Sequence, residues 1–414
     1  MLHCRNKELF IEDVSCQTLA REYGTPCYVY SKQYLIEQFN DYRDAFKDYP
    51  ETTICYSVKA NSNLSILKIF KDIGSGFDIV SGGELERITA IGADPNKVVF
   101  SGVAKSPDEI QKAIEFGILF FNIESFDELE VINRIAESTQ DIARVSIRVN
   151  PDIDPKTHPY ISTGLKSSKF GIAIEQSFEI YKEANKMNNI NLVGIDAHIG
   201  SQILNLDPFE DSLERLESLY RKLKDENIII DFIDIGGGLG IKYQDEDRPP
   251  SKKEFAKRII KRMKKINCKL IIEPGRSLVG NSGYLLSAVV YQKSNDERNF
   301  LIIDAGMNDL LRPALYGSHH EIKKVVQSEG NETIYDIVGP ICETGDVMGK
   351  SVPIGNAELG DILVISSVGA YGAVMSSNYN TRPKAPEVIV SGSESFLIRR
   401  EETTSQILQN EVIV

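Results

Sequence analysis

Tryptophan is absent from this chain of 414 residues, and cysteine, methionine and histidine number only six, six and five. The cysteines (Cys4, Cys16, Cys27, Cys55, Cys268 and Cys342) are scattered, with no C-x-x-C pair, which excludes a compact disulfide framework and points to reduced thiols. The histidines show no H-E-x-x-H spacing. His319 and His320 are adjacent, so they point apart on a helix or a strand, and no metal site is expected. No run approaches the ~18 apolar residues that a membrane span needs. The opening MLHCRNKELFIEDVSC lacks the apolar stretch of a secretory leader, so the expected location is cytoplasmic. Positive charge is scarce as well. With 47 Lys and Arg against 60 Asp and Glu, the net charge of -13 argues against nucleic acid or an anionic membrane as partner.

What is present is alternation. Eight short β-branched or aromatic runs lie between Thr53 and Pro274: TICYSV, FDIV, KVVFS, ILFFNI, ARVSIRV, LVGIDAH, IIDFIDI and KLIIEP. Between them stand stretches of helical period, such as SPDEIQKAIEFG and SFDELEVINRIAE, which open on Ser and often close on Gly, as helix caps require. Near-continuous apolar strands alternating with helices predict an α/β fold, a (β/α)8 barrel, over residues 32–275; an open doubly wound sheet is the alternative. After Arg276 the strand-like runs are separated by Gly, Pro, Asn and Asp with little helical period, which predicts a C-terminal all-β domain over 276–414. Residues 1–31, with HCRNKELFIED and CYVYS, are expected to add edge strands to it. One connection, Asn150 to Asn191, is long and polar, and long structured loops tend to carry function.

Barrel active sites form where the strands end. The first strand ends at Lys59, and the second carries Asp78 into Ser81-Gly82-Gly83-Glu84. The fifth ends at Arg148 and Asn150, and the sixth at His198, followed by Ser201. The seventh opens into Gly236-Gly237-Gly238-Leu239-Gly240, and the eighth into Glu273-Pro274-Gly275-Arg276. The glycine turn allows backbone N–H groups to converge on an anion, and no helix follows it, which excludes a dinucleotide-binding loop. A turn that simply needs glycine is the plainer reading. A partly desolvated Lys59 is able to attack an aldehyde, although a lone lysine at a strand end is more often just exposed. Glu273 suits a ring nitrogen and His198 a flat ring, yet each taken alone is as readily a structural hydrogen-bond partner. Their convergence on one cavity is the stronger signal.

The runs CYSVKAN (55–61), FDIVSGGEL (77–85), HIGSQ (198–202), DIGGGLG (234–240) and EPGR (273–276) resemble the fold-type III pyridoxal-phosphate decarboxylases, in order and nearly end to end. The resemblance implies pyridoxal 5'-phosphate as cofactor, held by Lys59, with His198 on its ring and Glu273 at its nitrogen. Asp78, Ser201, Gly236, Gly237, Gly238, Gly275, Arg276 and Tyr371 complete the implied cofactor site. HPYISTGLKSSKFG (158–171), RPALY (312–316), GPICETGD (339–346), GAYG (369–372) and SSNYNTRP (376–383) are similar to members that convert meso-2,6-diaminopimelate to L-lysine, the last step of lysine biosynthesis.

By that likeness Arg276, Arg312, Tyr316 and Tyr371 would meet the substrate, Glu343 its distal ammonium, and Cys342 would give the proton, reaching the second active site of a homodimer. Ser57 and Thr344 depart from the commoner Ala and Ser, at positions with no essential role implied. A sister decarboxylase of ornithine, lysine, arginine or carboxynorspermidine is disfavoured by RPALY together with CET. An alanine racemase shares the barrel but need not grip a long second head group. A non-catalytic regulatory homologue would be expected to lose Lys59 or Cys342, and both are present.

Overall fold

Single-residue punctuation sets the helices in the computed structural model, which describes residues 2–414 apart from 156, 157, 159, 160, 162, 166, 167 and 328–331. The Ser106 hydroxyl accepts the Glu109 N–H, and Glu109 answers at the Ser106 N–H, so the helix Pro107–Phe116 starts with both orphan donors satisfied. Gly117 then ends it in the left-handed region at φ 78°. Ser251 opens Lys252–Ile266 in the same way, and the Ser125 hydroxyl accepts the Glu128 N–H at the start of Phe126–Thr139.

The strands between these helices are Thr52–Ser57, Gly76–Ile79, Val98–Phe100, Phe120–Ile123, Ala143–Asn150, Ile190–Asp196, Phe232–Asp234 and Lys269–Ile272. All are parallel, each pairs with the next, and the eighth returns to the first with Ile271 opposite Thr53. The sheet therefore closes on itself, and the predicted (β/α)8 barrel is present. Cys55, Val99, Phe120, Val193, Phe232 and Ile271 form a buried apolar cluster from six of the strands. Each large side chain in such a layer contributes roughly 1.5–3 kcal/mol by leaving water. Towards the strand ends the buried residues turn polar: Ser57, Asp78, Asn122, Arg148, Asp196, Asp234 and Glu273. An apolar floor thus carries a charged layer.

The chain forms two compact units. One holds the barrel, Gln38–Ile241 with Arg248–Ser277; the other is Met1–Glu37, Lys242–Asp247 and Leu278–Val414. In the second unit a nine-stranded sheet runs in the order Val347–Gly355, Glu332–Val338, Asn299–Ile303, Gly283–Ser294, Cys27–Ser31, Glu387–Ser391, Glu394–Arg399, while Ile362–Ser366 also joins Gly283–Ser294 and carries Ile322–Lys324. Cys27–Ser31, expected at an edge, is instead an interior strand, antiparallel to Gly283–Ser294 and parallel to Glu387–Ser391. All five of its residues are buried, as a two-sided position demands. The helix Cys16–Tyr23 was not foreseen among the expected strands of residues 1–31. Ser15 caps it, and Cys16, Leu19 and Ala20 bury one helical stripe.

Candidate active site

Lys59 lies in the turn Val58–Ala60 immediately after the first strand, with its side chain one third exposed. Its Nζ pairs with Asp78 Oδ2, and Asp78 is fully buried. The Ser57 hydroxyl stands 2.9 Å from the same Asp78 oxygen and 2.9 Å from the Glu273 carbonyl. Ser57 therefore ties the ends of the first, second and eighth strands together. The family likeness implied no essential role for this serine; its bonds give it a structural one.

His198 follows the sixth strand, and its Nδ1 accepts the Gly237 N–H at 3.1 Å, so the proton of the neutral ring belongs on Nε2. Burial, with the charges of Arg148 and Lys59, depresses its pKa well below the ordinary imidazole value. The glycine turn is sterically obligatory. A Cβ on Gly236, which sits at φ 65°, would stand 2.4 Å from His198 Nδ1, and one on Gly237 would stand 2.1 Å from the Glu273 carbonyl oxygen. The Gly236 N–H goes to Asp234 Oδ1 at 2.9 Å. Two of the N–H groups expected to converge on an anion are thus engaged within the protein. The glycines serve close approach first. Gly275 is packed less tightly, its would-be Cβ 3.1 Å from the β-carbons of both Ala60 and Ser57. Arg276, buried, donates to Ser201 Oγ through Nε at 3.2 Å and Nη2 at 3.0 Å.

Electrostatics divide the buried acids into two kinds. Asp78 has a cation against it. Glu273, Asp234 and Asp196 crowd one another in low dielectric, where like charges do not coexist cheaply. Burial, then Asp234 and Asp78, raises Glu273 far above the carboxylate range. Burial and Asp196 push Asp234 up to about 8. Burial and Glu273 raise Asp196 well above the carboxylate range, against the pull of Arg148. Burial also moves Glu84, which accepts the Val80 N–H at 2.7 Å, up to about 7. Glu273 Oε1 and Asp78 Oδ1 are buried with no hydrogen-bond partner among the described residues. Such acceptors are costly unless a donor arrives. No group of three His, Cys, Asp or Glu among the described residues is placed to hold a metal ion. The arrangement suits an organic ring with an N–H donor, which fits a pyridine ring.

The β-rich unit carries its own set. Arg312 is buried at the start of the helix Arg312–Tyr316, its guanidinium 5.1 Å over the Tyr243 ring and 5.6 Å over Tyr316. Tyr371 adopts φ 56°, a left-handed conformation uncommon for tyrosine. Cys342 and Glu343 are exposed, on a loop where the Cys342 N–H donates to Asn380 Oδ1 at 2.8 Å. A hydrogen bond to Glu343 raises the Tyr379 hydroxyl above its ordinary value. Asp346 fastens that loop, accepting from Ile341 N–H at 2.7 Å and Met307 N–H at 2.6 Å.

Residues 32–280 match the pyridoxal-dependent decarboxylase family through its pyridoxal binding domain. Diaminopimelate decarboxylase of Pseudomonas aeruginosa is 47% identical over 99% of this chain and 98% of its own. That of Neisseria meningitidis is 50% identical over 98% and 99%. The chain belongs to the diaminopimelate decarboxylases. Two solved decarboxylases of this name superpose closely, both in complex with L-lysine. One, from Helicobacter pylori, has a TM-score of 0.92 and 41% identity, covering 95% of this chain and 98% of that one. The other, from M. jannaschii, has a TM-score of 0.96 and 38% identity, covering 100% and 98%.

In this decarboxylase the barrel brings together Lys59, Asp78, His198, Ser201, Gly236, Gly237, Gly238, Glu273, Gly275 and Arg276, while Arg312 with Tyr316, and Cys342 with Glu343, lie in the β-rich unit. The sequence reading passed over Asp196, Asp234 and Glu124. Their signal was available: an acid inside or just past an otherwise apolar strand (GIDAH, DFIDI, FFNIES) is buried and needs a reason. Of HPYISTGLKSSKFG, residues 159, 160, 162, 166 and 167 lie outside the described residues.

Proposed function

We propose that Lys59 is the residue that holds pyridoxal 5'-phosphate, and that the cluster around it is the catalytic centre of a carboxy-lyase converting meso-2,6-diaminopimelate to L-lysine and carbon dioxide. The observation that carries this is the Lys59–Asp78 pair standing in the same buried layer as the unpartnered Glu273 oxygen. Pyridoxal phosphate supplies an aldehyde for the amine and a ring that accepts the electron pair released with the carboxyl group.

The chain's own residues do the rest. Asp78 keeps oriented the Lys59 amine that would hold the cofactor. Glu273, held in a layer that disfavours full ionisation, would share a proton with the ring nitrogen. His198, neutral and fixed by Gly237, offers a flat face without competing for that proton. Ser201, Arg276, the glycine turn and Tyr371 would receive the phosphate. Arg276, Arg312 and Tyr316 grip a carboxylate, where a planar guanidinium gives two parallel hydrogen bonds. Glu343 receives the distal ammonium, and the exposed Cys342 hands a proton to the carbon that lost its carboxyl group, acting across a homodimer. No helix among the described residues is long and apolar enough to cross a membrane. The free thiols support a reducing, cytoplasmic setting.

The test is purified protein with cofactor and meso-diaminopimelate, following carbon dioxide and lysine, with single-carboxylate diamino acids as competitors. Lys59→Ala is expected to lose the visible absorbance of lysine-held cofactor and at least ~10³-fold of turnover. Turnover that survives in Lys59→Ala removes this residue from the chemistry.

A further inference from the structure

After the fifth barrel strand the chain leaves Asn150 and enters its next helix only at Ile174. Among the bonds that hold the described part of this strap, two sets bear on the cleft. At the first, Thr163 Oγ1 donates to the His198 carbonyl at 2.7 Å, the Gly164 N–H donates to the Ile199 carbonyl at 3.1 Å, and the Ser201 N–H donates to the Ile161 carbonyl at 3.1 Å. At the second, Glu124 uses both carboxylate oxygens. Oε1 accepts from Arg148 Nη1 at 2.7 Å, and Oε2 accepts the Gly171 N–H at 2.7 Å. The Arg148 guanidinium lies 4.7 Å over the Phe170 ring. Asn150 Nδ2 adds bonds to the carbonyls of Leu165 at 2.9 Å and Phe170 at 3.2 Å.

Glu124 and Arg148 are 8% and 6% exposed, so water does not readily replace either bond. The second fastening is therefore stiff, and Asn150, bonded to the carbonyls of both Leu165 and Phe170, links it to the first. We propose that Glu124 is a positioning residue for the cofactor cleft, acting through Gly171, Phe170, Asn150, Leu165 and Gly164 to set where His198 and Ser201 stand. This rests on the placement of His198 and Ser201 at the cofactor made above. Glu124 touches neither residue in any bond described here; its effect is transmitted.

The experiment titrates the full-length protein with pyridoxal phosphate and compares wild type, Glu124→Gln, Thr163→Val and the double variant. Glutamine keeps an oxygen for the Gly171 N–H and removes the charge facing Arg148. Each single change is expected to weaken cofactor binding about tenfold, and the double far less than the product of the two, because freeing either fastening releases the same strap. Independent, multiplying losses, or unchanged affinity in Glu124→Gln, overturn the proposal. Should Glu124→Gln fail to fold, Asn150→Ala replaces it in the same cycle with Thr163→Val and is read by the same rule. A wild type that binds no cofactor overturns the underlying assignment of the site, a result separate from either outcome of the cycle.

Discussion

Gly237 and Glu273 approach so closely that a β-carbon on the glycine would lie 2.1 Å from the glutamate's carbonyl oxygen. The obstacle is backbone, not the tip of a flexible side chain. Gly237→Ala must therefore displace either the turn or the end of the eighth strand, at a cost of about 1–3 kcal/mol typical of overpacking. Because the Gly237 N–H also fixes His198, the variant is expected to bind pyridoxal phosphate more weakly as well as to melt earlier. Thermal unfolding and a cofactor titration check both. Wild-type affinity in Gly237→Ala would show that the turn does not position the ring.

A second expectation concerns the crowded acids. Asp234 is raised from 3.8 to about 8 in the folded protein, by burial first and Asp196 second. A carboxyl with a raised folded pKa contributes its full stability while both states hold the proton, below 3.8. That contribution is lost as pH climbs towards about 8. Asparagine has no such proton, and its side-chain oxygen still accepts the Gly236 N–H. The stability of Asp234→Asn relative to wild type should thus improve as pH rises from about 5 to about 8, read from urea midpoints of the cofactor-free protein. A gap independent of pH would mean that Asp234 ionises without penalty.

The third separates binding from chemistry. Arg312 is buried with its guanidinium over the rings of Tyr243 and Tyr316, a position that rewards a planar cation. Lysine keeps the charge and loses the fork and the stacking. Arg312→Lys is expected to raise KM for meso-diaminopimelate about tenfold or more while kcat falls less, because the far carboxylate is gripped alike before and during reaction. A loss confined to kcat would place Arg312 at the reacting carbon instead.

Most of the barrel was legible because its signals are local. Apolar strand runs, serine caps and terminal glycines each act within a few residues, and the eight strands stand where those runs predicted. Lys59, His198 and Glu273 were legible for a related reason: a barrel gathers strand ends by construction. Ser57 was not. Its importance depends on Asp78 and the Glu273 carbonyl arriving from other strands, a relation that spacing does not encode. Glu124 is hidden in the same way, since its partners, Arg148 and Gly171, are far off in sequence. The interior place of Cys27–Ser31 was missed because its neighbours in the sheet come from the far half of the chain.

That last arrangement has a consequence during synthesis. Ser31 and Gly283 are separated by about 250 residues, so at ~5–20 residues per second the ribosome takes roughly 10–50 s to deliver the first partner of Cys27–Ser31. Glu387–Ser391 comes later still. Over that interval a fully apolar-packed ribbon waits with both flanks open, the condition that invites pairing with a neighbouring nascent chain. Yield in the cell should accordingly depend on translation speed and chaperone supply.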